Sequence, residues 1–211
     1  MKIGTIILAA GGSSRMMGEA KQLLEFDGCT LLRRAVKTAL STESGPVLVV
    51  LGASAERLLQ EMKDLPVLVE INQNWQRGIG SSIKAGLSKL LAEEPDIEAA
   101  ILTLADQPLI AALHLARLVE IYLQNEASVI ASRYEDTVGV PALFARKMFD
   151  DLGQIPDDKG AKSLLMAAEN VKTVSLPEAS IDIDTPQDYE QLKSRLNRLS
   201  KNERIRLTGT R

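Results

Sequence analysis

Aromatic residues make up only 3% of this 211-residue chain, which also has one cysteine and one histidine. Each scarcity excludes something. A single cysteine, Cys29, rules out an internal disulfide framework and fits a reducing compartment. With so few aromatic rings, the core has to be built from Leu, Ile, Val and Ala, which suits a sheet of buried strands covered by helices. His114 is the only histidine and falls within a helical pattern, so a Ser-His-Asp triad is a poor reading. No apolar run approaches the roughly 18 residues of a membrane helix. Residues 3–10 are too short and too weakly basic a stretch for a secretion signal. The expectation is a cytoplasmic protein.

Excess positive charge is also missing from the body of the chain. The net charge is −3, but residues 193–211 hold seven Lys/Arg against one acid, and the remainder carries 18 basic and 27 acidic residues. A nucleic-acid binder would show a basic face, so that role is disfavoured. The basic end reads as a solvated helix terminus with a frayed tail. Residues 1–196 are expected to form one domain and 197–211 that tail.

Apolar runs and amphipathic stretches alternate along the chain. Buried strands are expected at residues 3–9, 47–51, 67–71, 99–104, 128–132, 140–144, 171–176 and 181–183. Helices are expected at 31–40 (after an Asp27-Gly28 turn), 54–63 with Ser54 as N-cap, 79–91 and 109–123. Shorter helices or turns fill 146–150 and 161–168, and a last helix has Pro186 in its first turn. This alternation predicts an α/β fold with a largely parallel sheet and helices on both faces. In such sheets ligands bind beyond the carboxyl ends of the strands.

Unusual residues stand at those strand ends. The first segment is Leu8-Ala9-Ala10-Gly11-Gly12-Ser13-Ser14-Arg15, with Lys21 nearby. Small residues let a flat ligand lie against the backbone, and two glycines allow successive N–H groups to cradle phosphate oxygens. Ser13 and Ser14 add hydroxyls, and Arg15 and Lys21 add charge. The spacing matches neither a P-loop nor a dinucleotide fingerprint.

The second is Leu104-Ala105-Asp106-Gln107-Pro108. A carboxylate directly after a buried strand suits magnesium, which takes one or two carboxylates and completes its shell with phosphates and water; Asp106 could equally cap the next helix. The third, Asp182-Ile183-Asp184-Thr185-Pro186, offers a second carboxylate, Asp184 more than Asp182, although Asp184 or Thr185 also fits a helix cap. The fourth runs from Asn74 to Ile83 and puts two glycines and Ser81-Ser82 at a helix start, where donors suit ribose, base edge or phosphate. Ser81 as N-cap fits the same pattern. Cys29, Met16 and Met17 read as packing, and Asp157-Asp158-Lys159-Gly160 as a turn first and a substrate contact second.

Together these segments resemble the MobA-like nucleotidyltransferases, in particular molybdenum cofactor cytidylyltransferases. The matching pieces are LAAGGSSRM, the lysine of AKQLL, GIGSSIKAG, LADQP, GVPALF, DDKGAKSLL and DIDTPQDY, in the family's order. The resemblance implies a Rossmann-like three-layer α/β/α domain of the nucleotide-diphospho-sugar transferase type. It also implies transfer of a nucleotidyl group from CTP or GTP to molybdopterin, with Mg2+ and release of pyrophosphate. The family's opening motif tends to read LAAG in cytidylyltransferases, so Ala10 favours CTP and a CMP group.

Carried over by position, Leu8, Ala9, Ala10 and Gly12 contact the nucleotide, Arg15 and Lys21 hold its phosphates, and Ser82 lies near base or ribose. Asp106 and Asp184 take the metal, and Arg15, Lys21 and Asp106 form the catalytic set. Gly11, Ser13, Ser14 and Ser81 complete the expected nucleotide site. Two departures stand out. An extra residue separates Arg15 from Lys21, and Val140 occupies the place before Pro141 where many family members have histidine. The same motifs leave room for a sugar phosphate or another phosphorylated alcohol as acceptor. They also leave room for a non-catalytic nucleotide-binding factor that helps mature a molybdenum hydroxylase.

Overall fold

The computed structural model describes residues 1–16, 19–125, 127–168 and 170–198. Met17 and the tail beyond residue 198 lie outside the described residues.

The chain opens with strand β1 (Ile3–Leu8), whose six residues are all buried. A small hairpin of β2 (Glu25–Phe26) and β3 (Cys29–Thr30) turns at Asp27-Gly28 and leads into helix α1 (Leu31–Leu40). The Thr30 hydroxyl caps α1 by accepting the Arg33 N–H at 3.2 Å. Next come β4 (Val47–Leu51), α2 (Ala55–Gln60), β5 (Leu68–Ile71), α3 (Ile79–Glu93), β6 (Ala99–Leu104) and α4 (Ala112–Gln124). The last part holds β7 (Val129–Tyr134), β8 (Thr137–Ala145), α5 (Phe149–Gly153), α6 (Lys162–Ala167), β9 (Val171–Ser175) and α7 (Pro186–Asn197).

Seven strands form one sheet in the order β5-β4-β1-β6-β8-β7-β9. The pairs β5-β4, β4-β1, β1-β6 and β7-β9 are parallel, whereas β8 runs antiparallel to both β6 and β7. Alternate residues of each strand feed opposite faces, as strand geometry requires. Ile3 and Ile7 of β1, with Val47, Val49 and Leu51 of β4, pack on Leu32 and Val36 of α1, Leu58 of α2 and Leu115 and Leu118 of α4. Ile6 and Leu8, with Leu48 and Val50, pack instead on Ile83, Leu87 and Leu90 of α3, Leu152 of α5 and Leu165 of α6. The result is the expected three-layer α/β/α arrangement with a mostly parallel sheet. No described helix is long and apolar enough to cross a membrane.

Several expectations need correction. Residues 181–183 belong to no strand; Ile183 is buried under α7 with Leu192 and Leu196, and its N–H donates to the Asp106 carbonyl at 3.0 Å. Helix α4 begins at Ala112 and not at residue 109, because Leu109 and Ile110 turn inward as core residues. Ser54 precedes α2 in a left-handed conformation (φ 58°) and makes no side-chain cap. Strands β7 and β8 extend beyond the expected limits, with a register shift after Ala131 that the alternation pattern conceals.

Strand order reverses at β1. The chain moves from β1 to β4 and β5 on one side and then crosses to β6 on the other. Such a switch point opens a crevice at the carboxyl ends of the two strands. Here Leu8 and Leu104 are paired neighbours, so the segments that follow them leave the sheet side by side.

Candidate functional site

A cleft of about 360 Å³ opens at this switch point, lined by Ala10, Gly12, Lys21, Trp75, Ser82 and Asp106 among others. That is ample for a small-molecule ligand. Leu8, Ala9, Ala10 and Gly11 also line it. Gly12 lets the Trp75 ring approach closely: a Cβ there would stand 2.8 Å from it, so a larger residue would have to displace the ring.

Ser13 takes a left-handed turn (φ 51°), and its hydroxyl is engaged inside the loop, accepting the Lys21 N–H at 3.0 Å and donating to Gln22 Oε1 at 3.3 Å. Ser14 and Arg15 are exposed. Met16 is buried and packs as expected.

Lys21 leaves this loop with its ammonium between two carboxylates, 2.5 Å from Asp106 Oδ2 and 2.7 Å from Asp184 Oδ1. Arg15 Nη2 reaches the other Asp184 oxygen at 2.8 Å. Burial disfavours the Lys21 ammonium, but Asp106 and Asp184 together outweigh it and hold its pKa above the usual lysine value. Partial burial would raise the Asp184 pKa, yet Lys21 and Arg15 bring it below the ordinary carboxylate value.

Rigid backbone brings the two acids together. Gln107 Nε2 donates to the Ala179 carbonyl (2.9 Å), and buried Arg34 donates to the Pro108 carbonyl (2.6 Å), fixing the turn that carries Asp106. Asp184 is fixed by the start of α7. There Thr185 accepts the Asp188 N–H at 3.2 Å, and Asp188 in return accepts the N–H groups of Thr185 and Asp184 at 2.8 and 3.2 Å. The helix cap is therefore Thr185, which leaves the Asp184 carboxylate free to turn toward Lys21. Asp106 caps no helix.

A divalent cation fits these residues. The Lys21 ammonium marks a position from which one cation reaches both Asp106 and Asp184. Asp106 Oδ1 is buried without a hydrogen-bond partner among the described residues, so it has capacity to spare. Among the described residues no group of three or more His, Cys, Asp and Glu is arranged to hold a metal. Two carboxylates with the remaining shell drawn from water and phosphate is the pattern typical of Mg2+. Asp182 stands close by; burial first, and then the charges of Asp106 and Asp184, raise its pKa to about 6.

The second glycine-serine segment behaves differently. Gly78 occupies the N-cap of α3, so Ser81 lies within the helix and not at its cap. The Ser81 hydroxyl donates to the Gly78 carbonyl at 2.7 Å and accepts from Asn72 Nδ2 at 2.9 Å. It lines a separate surface recess with Arg77, Lys84 and Asp157, away from the cleft. Ser82 does line the cleft, and its hydroxyl accepts from Asn72 Nδ2 at 3.0 Å. Glycine at position 80 serves packing, because a Cβ there would strike the backbone of residues 156–159. Asp157 clamps that contact through ion pairs to Arg77 and Lys84, and its carbonyl accepts the Gly80 N–H at 2.9 Å.

His114 is structural. Its Nδ1 accepts the Ala111 N–H at 3.1 Å at the start of α4, and burial lowers its pKa. Cys29 sits half-buried in the β2-β3 hairpin.

Sequence reasoning passed over Gln22 and Asn72. Gln22 is 2% exposed and Asn72 is 6% exposed. Asn72 follows strand β5 as Asp106 follows β6, so the strand-end rule could have found it. Gln22 carried only its neighbour's signal: it directly follows Lys21.

Comparison with known proteins supplies the remaining context. Purine catabolism protein PucB of Bacillus subtilis is 28% identical over 200 residues, covering 89% of this chain and 94% of its own. The crystal structure of Rv0371c from Mycobacterium tuberculosis superposes with a TM-score of 0.79 at 28% identity, over 90% of this chain and 96% of that one. A manganese complex of Rv0371C from the same organism gives a TM-score of 0.75 at 26% identity, over 91% of this chain and 98% of that one. The model of the MobA-like NTP transferase domain matches residues 5–172, from β1 to the start of β9. The chain belongs to the MobA-like NTP transferase family, and it is a nucleotidyltransferase with the fold of the nucleotide-diphospho-sugar transferases.

Proposed function

We propose that the protein transfers a CMP group from CTP to molybdopterin with release of pyrophosphate, using Mg2+. The observation that carries the reading is the shared reach of Asp106 and Asp184 onto one cation position, beside a loop whose backbone donors line the cleft. The manganese complex of a homologous structure supports a divalent metal. Ala10 in the LAAG loop supports CTP, and the order of the motifs supports molybdopterin.

In this reading a phosphate oxygen of the acceptor attacks the α-phosphorus of CTP, the bond to the bridging oxygen breaks, and pyrophosphate leaves in line. The nucleophile is already an anion near neutral pH, so no general base is needed. That accounts for an enzyme whose only histidine is a helix cap. What the protein supplies is position and charge neutralisation. Asp106 and Asp184 would hold Mg2+, which would supply positive charge to offset that of the phosphates. Lys21 and Arg15 exchange their carboxylate partners for the departing phosphates. Gly11 and Gly12 offer backbone N–H donors, and Ser82 faces base or ribose. Ser13 orders the loop from within, while Ser14 at the rim and Ser81 outside the cleft have secondary parts.

The test is pyrophosphate release from a panel of four nucleoside triphosphates mixed with the protein, Mg2+ and molybdopterin. Release with CTP well above GTP is expected. Release only with a sugar phosphate or another phosphorylated alcohol would replace the acceptor. Nucleotide binding without release from any acceptor would instead point to an accessory factor for a molybdenum hydroxylase.

A further inference from the structure

Gln22 borders the cleft but is among the most buried polar side chains of the protein, and its amide is bonded at three points to one short loop. Its Nε2 donates to the carbonyls of Ala9 and Gly11, both at 3.1 Å, and its Oε1 accepts from the Ser13 hydroxyl. The carbonyl between them, that of Ala10, accepts from the Ala53 N–H at 3.1 Å. Every carbonyl from residue 9 to residue 11 is thus held by the protein.

Peptide geometry turns this into a statement about the donors. In a planar trans peptide the N–H of a residue points opposite to the carbonyl of the residue before it. Fixing the Ala9 and Gly11 carbonyls on the Gln22 amide therefore aims the N–H groups of Ala10 and Gly12 away from Gln22. Both residues line the cleft. Among the described residues the N–H groups of Ala10, Gly11 and Gly12 have no hydrogen-bond acceptor. Gln22 directly follows Lys21, whose N–H is held by the same Ser13 hydroxyl that bonds Gln22.

We infer that Gln22 is the positioning residue of the phosphate loop: its amide orients the Ala10 and Gly12 N–H groups toward an anionic phosphate chain before ligand arrives. A loop held in this way loses little freedom on binding, which raises affinity for the part of the ligand that it contacts. The inference rests on the triphosphate reading above and deepens it. It also separates two parts of one ligand. The oriented N–H groups act on phosphate, so a nucleoside without phosphates gains nothing from Gln22.

The experiment is calorimetric titration of wild-type protein and Gln22→Met with CTP in the presence of Mg2+, and with cytidine. Methionine keeps the length and apolar volume and removes both amide functions. The three lost hydrogen bonds predict CTP binding weakened at least ~10-fold with cytidine binding unchanged. Equal weakening of both ligands, or of neither, overturns the inference, because a merely structural role has no reason to single out phosphates. Should Gln22→Met fail to fold, amide NMR of the wild-type chain decides the matter. CTP should move the Ala10 and Gly12 N–H signals downfield; binding that leaves both unmoved overturns the inference as well. Wild-type protein that binds none of the four triphosphates would sink the nucleotide reading itself, an outcome distinct from either.

Discussion

The protein has two glycine-serine segments that look interchangeable in sequence, and the fold uses them for opposite purposes. After β1, the glycines of residues 11–12 leave backbone donors free in a cleft while Gln22 and Ala53 hold the carbonyls. At the start of α3, Gly78 and Gly80 make room for the backbone of residues 156–159, and Ser81 is spent on the helix start. One segment is shaped around a ligand and the other mainly around the protein's own chain, although Trp75, Gln76, Gly78, Ile79 and Ser82 of the second also line the cleft. Glycine and serine content shows that something approaches closely. What approaches is decided by neighbours distant in sequence.

The sharpest way to break that contrast is to remove a charge from the first region. Asp106→Ala is expected to abolish pyrophosphate release, a loss of at least ~10³-fold, since it removes one of two carboxylates that share a cation position. Full activity would detach the acidic rim from catalysis. Lys21→Met should follow with a loss of at least ~10² in rate. The same variant should bind Mn2+ more tightly than wild type without nucleotide, because the competing ammonium is gone; weaker Mn2+ binding would mean that the ammonium does not stand at the metal position.

In the second region Gly80→Val should act on stability instead of chemistry. Overpacking against residues 156–159 costs ~1–3 kcal/mol, a Tm drop of several degrees for a chain of this size by thermal melting. Its remaining folded fraction should keep the wild-type KM for nucleotide. A changed KM without a changed Tm would merge the two segments into one ligand site.

The smallest effect concerns Asp182→Asn. The folded pKa of Asp182, about 6, lies above the ordinary value of 3.8, so the folded state binds this proton more tightly than the unfolded state. Its contribution to stability is fully present below about 4 and is lost as pH rises through about 6. The variant should therefore match or exceed wild-type stability at pH 7 and lose that advantage at pH 4, as read from denaturant midpoints.

Much of the architecture was legible because buried strands and amphipathic helices announce themselves. Strands β4 and β6 and helix α1 fall where the pattern puts them, and Pro186 opens α7 as expected. Residues 181–183 misled because a short alternating apolar run reads the same whether it joins a sheet or lies beneath a helix. Asp106 was legible because a charged residue after an apolar strand is held at the ligand edge; Asp184 was singled out on the same ground, although no strand precedes it directly. The Gln22 amide was not legible, since two of its three partners are backbone carbonyls, which carry no side-chain signature. Ser81 and Ser82, adjacent and chemically identical, are separated only by a helix rotation of about 100° per residue.

Convergence of Asp106 and Asp184 on one cation is tested most directly by electron paramagnetic resonance of Mn2+ in the presence of CTP, comparing wild type with Asp106→Asn and Asp184→Asn. One tightly bound Mn2+ in the wild type and a large loss of binding in each single variant is the predicted result. Wild-type Mn2+ binding in Asp184→Asn would contradict it.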